Sequence, residues 1–232
     1  MSSRFFIETP ITGQQCRLTG PEAHHLTRVM RAQIGDEITL FDGSCFEFTG
    51  KITGIAKDRV ELEIVDRRLV DRELPHSVTL AVALPKGDRQ KVLVEKLVEL
   101  GVTRLIPLVT ERGVAQPVES ARERLARSVI EASKQCGRNR LMEISPPVDV
   151  ERLLQSTPET VLRLVAHPGD RQLTELGSVS GDIVAAVGPE GGFTAEEVSA
   201  FDQAGWNRVA LGSRILRIET AAMAIAAWAS LR

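Results

Sequence analysis

The sequence predicts an α/β protein: a mostly parallel sheet flanked by helices, preceded by a small β-rich barrel. Three observations carry this. Residues 1–72 show period-two alternation and a hairpin turn, whereas residues 73–232 alternate short apolar runs with helical segments. Near the C-terminus two glycine-bearing segments, Gly188-Pro189-Glu190-Gly191-Gly192 and Leu211 to Ala221, each follow an apolar run and lead into a helical stretch. Adjacent strand–loop–helix junctions expose bare backbone N–H and C=O groups and commonly share one ligand cleft.

In the first unit, Val60-Glu61-Leu62-Glu63-Ile64 alternates apolar and charged residues, the signature of a strand with one wet face. Ile38-Thr39-Leu40-Phe41, then Asp42-Gly43, then Cys45-Phe46-Glu47-Phe48 predicts a hairpin, because Asp-Gly supplies the positive φ of a tight turn. A helix is expected from about Pro21 to Met30, with Pro in the tolerated first turn. Closing such short strands into a barrel removes exposed edges. The charged stretch Asp66 to His76 is the expected linker.

Beyond it, Val78 to Leu84, Leu105 to Val109, Val161 to Ala166, Ile183 to Val187 and Arg208 to Leu211 are short apolar runs, as parallel strands buried on both faces require. Helices are expected at Lys91 to Leu100, ending at Gly101, and at Arg122 to Gln135, where Leu125, Val129 and Ala132 share a face. Thr194-Ala195-Glu196-Glu197 is a capping box that opens another, and the alanine-rich stretch Ala221 to Leu231 forms the last.

Composition narrows the function. The 232 residues, 43% hydrophobic and 26% charged, can bury a core. A formal charge of −2 gives no global footprint for nucleic acid, so an RNA partner needs a local basic patch. The start, from Met1 to Phe6, has no secretory apolar core, and Cys16, Cys45 and Cys136 are widely spaced. Both features suit a reducing cytoplasm and argue against disulfides. The histidines His24, His25, His76 and His167 have no metal-ligand spacing. Neither G-x-G-x-x-G, nor a P-loop, nor a G-x-S-x-G elbow occurs.

The two C-terminal loops are therefore the candidate site. A glycine-rich loop before a helix often holds phosphate, but Glu190 would repel a polyphosphate by several kcal/mol where screening is poor. A cationic or hydroxyl-bearing ligand fits better, and a plain tight turn is the bland alternative. Arg214 and Arg217 flank Ile215-Leu216, a pattern that packs inward while aiming guanidiniums at an anion or base edge. Further cations stand at Arg28 and Arg31, at Lys86 and Arg89, and at Lys134, Arg138 and Arg140. By default each is a solvated helix end or loop.

Taken in order, Arg4-Phe5, His24-His25-Leu26 with Val29 and Arg31, Gly35-Asp36, Lys86-Gly87-Asp88-Arg89, Lys96, Glu99 to Val102, Glu131-Ala132 with Gln135 and Arg138, Gly188 to Gly192 and Leu211 to Arg217 with Glu219-Thr220-Ala221 span nearly the whole chain. Together they resemble the RsmE-like 16S ribosomal RNA uridine-N3 methyltransferases. Lys134, Cys136 and Met30 depart from the family's commoner residues. The resemblance implies a PUA-like barrel for RNA docking and a SPOUT methyltransferase domain with a C-terminal trefoil knot. It further implies S-adenosylmethionine as methyl donor, 16S RNA in the small subunit as substrate, no metal, and a homodimer. It places the donor on Leu164, His167, Gly188, Pro189, Glu190, Gly191, Gly192, Leu211, Gly212, Ile215, Leu216 and Thr220. It makes Arg217 or Arg214 the group that favours the deprotonated uridine, and Arg4, Arg28, Arg31, Lys86, Arg89 and Arg138 the RNA contacts.

Methylating uridine N3 requires loss of its proton and in-line attack on a sulfonium methyl. Alignment is the enzyme's main lever, worth roughly 7–11 kcal/mol in ideal cases. Two alternatives stand beside this reading: a SPOUT enzyme acting on a ribose 2′-OH or another base, and a non-catalytic RNA-binding module.

Overall fold

In the computed structural model, which describes residues 4–113, 119–169, 171–177 and 181–231, the chain divides into two units. One comprises residues up to Glu73 together with Ser133–Leu141, and the other Leu74–Ala132 with Met142 onward. The segment Ser133–Leu141 thus packs with the N-terminal unit, although the sequence placed it in the larger domain. Residues Met1 to Ser3 of the chain start lie outside the described residues.

The N-terminal unit contains β1 (Arg4–Phe6), β2 (Gln15–Thr19), α1 (Gly20–His24), β3 (Glu37–Phe41), β4 (Phe46–Ile55) and β5 (Arg59–Leu69). Among the described residues the order is β1-β3-β4-β5-β2, parallel between β1 and β3 and antiparallel elsewhere. Edge strands β1 and β2 do not pair, so the sheet is a curled half-barrel rather than a closed barrel. Two register shifts interrupt the β4–β5 ladder, at Thr49/Gly50 and Ile52/Gly54, and such bulges bend a strand and raise its local twist. Phe5, Leu18, Leu26, Leu40, Phe48, Ile52 and Leu62 fill the concave face.

Two sequence expectations change here. Strand β5 runs through Asp66 to Leu69, the first four residues of the expected linker. Those charged residues pair with β4, Glu47 facing Arg68, and Arg67 stacks 3.7 Å from the Phe46 ring centre. The expected helix after Pro21 begins as α1 and then widens into a π turn, His25–Val29, before Arg31 takes a left-handed φ of 55°.

Arg4 anchors the Ser133–Leu141 segment. Its guanidinium pairs with Glu47 and donates to Asn139 Oδ1 (2.7 Å) and the Gly137 carbonyl (3.3 Å). Asn139 in turn donates to the Val70 carbonyl (2.9 Å), Arg138 is paired with Glu73, and Lys134 reaches Glu22 (2.7 Å). Arg140 Nε donates to the sulfur of buried Cys45 at 2.7 Å. That contact lifts the guanidinium further above its ordinary range.

The larger unit contains β6 (Val78–Val82), α2 (Arg89–Glu99), β7 (Arg104–Val109), α3 (Glu119–Cys136, whose last turn belongs to the first unit), β8 (Glu143–Ile144), β9 (Val148–Asp149), α4 (Val150–Ser156), β10 (Leu162–Ala166), β11 (Ile183–Val187), α5 (Ala195–Gln203), β12 (Asn207–Val209) and α6 (Ile218–Ser230). Among the described residues the sheet is parallel throughout, in the order β12-β10-β11-β6-β7-β8, with β9 beside β7. Its strands are apolar because both faces are covered. On one face Phe193, Phe201 and Trp206 meet edge to face at 5.1 Å over Ala81, Val165 and Ala186. Helix α6 buries Ala221, Ala222, Ala226 and Ala229 and packs on α2, β6 and β11, its small side chains allowing close approach. Among the described residues no helix is long and apolar enough to cross a membrane.

Candidate active site

Strands β10, β11 and β12 are neighbours, and all three end on the same edge of the sheet. The segments leaving those ends, Ala166 to Pro168, Gly188 to Phe193 and Ala210 to Ile218, enclose a cleft of about 440 Å³. The volume lies within the range of small-molecule sites, roughly 300–1,000 Å³. Its position also follows the rule that open α/β sheets bind ligands beyond their carboxyl ends, where strand order reverses.

Each wall is fixed by its own contacts. After β10, His167 N–H donates to the Val209 carbonyl (3.1 Å), and Ala210 N–H donates to the Arg171 carbonyl (2.9 Å), tying the first wall to the third. His167 Nδ1 donates to the Pro168 carbonyl at 2.7 Å, which puts that nitrogen's proton on the carbonyl side. After β11, Gly192 N–H returns to the Pro189 carbonyl (2.8 Å) with φ of 68°, a turn that a side chain would strain. Helix α5 begins at once: Thr194 Oγ1 accepts from Glu197 N–H (3.2 Å), and Glu197 accepts from Thr194 N–H (2.8 Å). Beside it Glu196 is held below the usual carboxylate range, by hydrogen bonds from its own N–H and then from Thr194.

Arg112, just past β7, and Arg89, at the start of α2, grip the glycine loop. Arg112 Nη1 donates to the Gly191 carbonyl at 3.0 Å, and Arg89 Nη2 donates to Glu190 Oε1 at 2.9 Å. Arg89 Nη1 also stands 3.6 Å from Glu219 Oε2 at the start of α6. The third wall is open: Ile215 is 96% exposed, and Arg214 and Arg217 have no carboxylate partner among the described residues.

An RNA methyltransferase domain family matches residues 72–230, and an RNA methyltransferase PUA domain matches residues 18–65. The ribosomal RNA small subunit methyltransferase E of Synechocystis is 35% identical over 211 residues, spanning 88% of this chain and 69% of the relative. This chain belongs to the small-subunit methyltransferase E family.

Solved members of like fold include the enzyme of that name from Neisseria gonorrhoeae, bound to S-adenosyl methionine (34% identity, TM-score 0.91, 98% of this chain and 96% of that one). A methyltransferase from Legionella pneumophila with the cofactor SAM is 31% identical with TM-score 0.92, covering 100% and 98%.

The expected donor residues divide cleanly. His167, Gly188, Pro189, Glu190, Gly191, Gly192, Leu211, Gly212, Ile215 and Leu216 line the cleft. Leu164 does not: it lies mid-strand in β10, fully buried between β11 and β12. Thr220 is exposed in the first turn of α6, and the next residue, Ala221, lines the cleft instead. Of the expected catalytic pair, Arg214 is in the lining and Arg217 caps α6 beyond it. Among the expected RNA contacts, Arg28, Arg31 and Lys86 are exposed, whereas Arg89 is engaged with two carboxylates. Arg4 (7% exposed) and Arg138 (4%) are buried and paired inside the N-terminal unit. Sequence reasoning missed Arg112, whose only local signal is a cation just past the end of β7. Among the described residues no three His, Cys, Asp or Glu side chains group as metal ligands.

Proposed function

We propose that this methyltransferase transfers a methyl group from S-adenosylmethionine to N3 of a uridine in 16S RNA of the small ribosomal subunit. The cleft at the ends of β10, β11 and β12 carries the reading, because its walls are largely main chain, glycine and apolar side chains. Such walls suit an adenosine and a methionine chain, with Gly188 to Gly192 and Leu211 to Leu216 offering backbone donors and acceptors. When bound, the donor supplies an electrophilic methyl on a cationic sulfur. As the guanidinium of the lining, Arg214 would face a uracil carbonyl oxygen and favour the N3 anion. Arg217 would then hold the nucleotide from outside the cleft.

RNA docking falls to Arg28 and Arg31, which flank exposed Val29 and Met30, with Ile34 also exposed, in the N-terminal unit. Cations beside apolar surface suit phosphates and unstacked bases together. In the larger unit, exposed Lys86 is read separately as an RNA contact. Arg4 and Arg138 we assign to holding the N-terminal unit together. Exposed Ile215, Leu231 and Val92 in the larger unit support a homodimer.

Incubating the protein with labelled donor and unmodified small subunits, or naked 16S RNA, and then mapping the methyl group tests the reading. Label on uridine N3 is expected, and label on a ribose 2′-oxygen would overturn the base assignment. In single-turnover assays with donor and RNA saturating, Arg214→Ala should slow transfer by about a hundredfold or more. A full rate would remove Arg214 from the reaction.

A further inference from the structure

Among the residues lining the cleft, Glu190 is the one carboxylate and Arg214 the one guanidinium. Glu190 is not isolated. Arg89 bridges it, at 2.9 Å, to Glu219 at 3.6 Å, and the Glu219 side chain is nine-tenths buried, its Oε2 lacking any hydrogen-bond donor among the described residues. Within this cluster one guanidinium shared by two carboxylates leaves one negative charge uncompensated, while Arg214, exposed in the same lining, is assigned to the uracil. Burial of Glu219 keeps water from screening that negative charge.

We propose that Glu190, backed by Arg89 and Glu219, makes the cleft select by charge, holding the sulfonium donor more tightly than the thioether left after transfer. The inference rests on reading the cleft as the donor site. S-adenosylmethionine carries an ammonium, a carboxylate and a sulfonium, and so one net positive charge. On transfer the S–CH3 bond breaks with its electron pair staying on sulfur. The pair on N3, freed when its proton passes to solvent, forms the new N–CH3 bond. The thioether by-product is therefore net neutral. With donor the cluster is balanced, and with by-product its extra negative charge is stranded. Product release is thereby favoured by the same residues that capture the donor. Attraction of a single charge across a partly screened site supports a preference on the order of tenfold.

Calorimetry on the full chain tests this with S-adenosylmethionine, S-adenosylhomocysteine and sinefungin, whose amine replaces the sulfonium with another cation. The wild-type protein should bind both cationic ligands about tenfold more tightly than the neutral one. Glu190→Gln keeps shape and removes charge, so it should weaken both cationic ligands by about tenfold and leave S-adenosylhomocysteine within about twofold. Arg89→Gln should widen the gap, because it uncovers both carboxylates. If that variant does not fold, salt titration of the wild-type protein tests the same attraction in the opposite sense: rising salt should weaken the cationic ligands selectively and narrow the gap. Equal weakening of all three ligands by Glu190→Gln would mean that Glu190 merely shapes the loop, and no weakening would mean that it does nothing. Either result overturns charge selection. A wild-type protein that binds none of the three ligands overturns the donor-site reading as well. One that binds donor and methylates RNA, while Glu190→Gln keeps the wild-type preference, overturns charge selection alone.

Discussion

Replacing Arg4 with Met separates a structural guanidinium from an RNA-binding one. Met keeps much of the apolar stem but removes every polar contact. Asn139, 1% exposed, loses the donor to its Oδ1, and an orphaned buried acceptor costs about 1–3 kcal/mol. Glu47 loses less, because it is partly exposed and keeps Arg72 at 3.5 Å, so about 1 kcal/mol or below is at stake there. The guanidinium also lies 5.0 Å from the Phe41 ring centre, a contact worth about 0.5–1 kcal/mol. Together these amount to about 3 kcal/mol, carried mainly by Asn139.

Both tryptophans, Trp206 and Trp228, lie in the larger unit, so their fluorescence reports that unit while far-ultraviolet dichroism reports both. In urea the dichroism midpoint of Arg4→Met should fall by about 1–2 M while the fluorescence midpoint barely moves. Adding Asn139→Leu removes that orphan but strips the Val70 carbonyl of its donor, so it should recover about 1 kcal/mol at most. A variant with wild-type midpoints and weakened RNA binding would refute the argument and make Arg4 an RNA contact.

Three further outcomes follow from local geometry. Thr194→Ala breaks the cap of α5 and should cost about 1 kcal/mol by denaturation. The same change should raise the Glu196 titration toward the ordinary carboxylate range by NMR. Because Glu196 is depressed in the folded state, its contribution is present at neutral pH and lost as pH falls through that lowered value. Gly50→Ala puts a methyl 2.7 Å from Leu40 Cδ1 inside the half-barrel, and the overpacking should cost about 1–3 kcal/mol by the same measurement. Cys16 has its thiol pushed up to about 11, by burial first and then by Glu61. At pH 8 it should carry on the order of a hundredfold less thiolate than an unperturbed thiol and react correspondingly slowly with a disulfide reagent. The stabilisation linked to it is present below its ordinary value of 9.0 and is lost as pH rises through about 11. Rapid labelling of Cys16 in the folded protein, located by peptide mass, would contradict that environment.

What the sequence made legible was local. The Asp42-Gly43 hairpin, the alternation at Val60 to Ile64 and the Thr194 capping box each lie within one element, where periodicity and turn chemistry operate. The cleft was legible because its walls are glycine loops following apolar strands. What stayed hidden depends on residues far apart in the chain. Arg89 reaches Glu190 and Glu219, Arg112 reaches the carbonyl of Gly191, and Arg4 reaches Asn139. No spacing rule reports such pairs. The π turn at His25–Val29 was likewise invisible, since it leaves the apolar pattern of a helix nearly intact. Asp66 to Leu69 misled for the opposite reason. Its charges, typical of a linker, belong to a strand whose partners are an acid and two aromatic rings.

The N-terminal unit is discontinuous: Ser133–Leu141 completes it only after much of the larger unit has been made. During synthesis, strands β1 to β5 must therefore wait for the acceptors of Arg4 to leave the ribosome. At about 5–20 residues per second the wait is on the order of ten seconds. Through that interval Arg4 has Glu47 but neither Asn139 nor the Gly137 carbonyl, so a guanidinium destined for burial stays only partly paired. A fragment cut at Glu73 would stay in that condition permanently. The piece that looks like a module in the genetic text is not one in the cell.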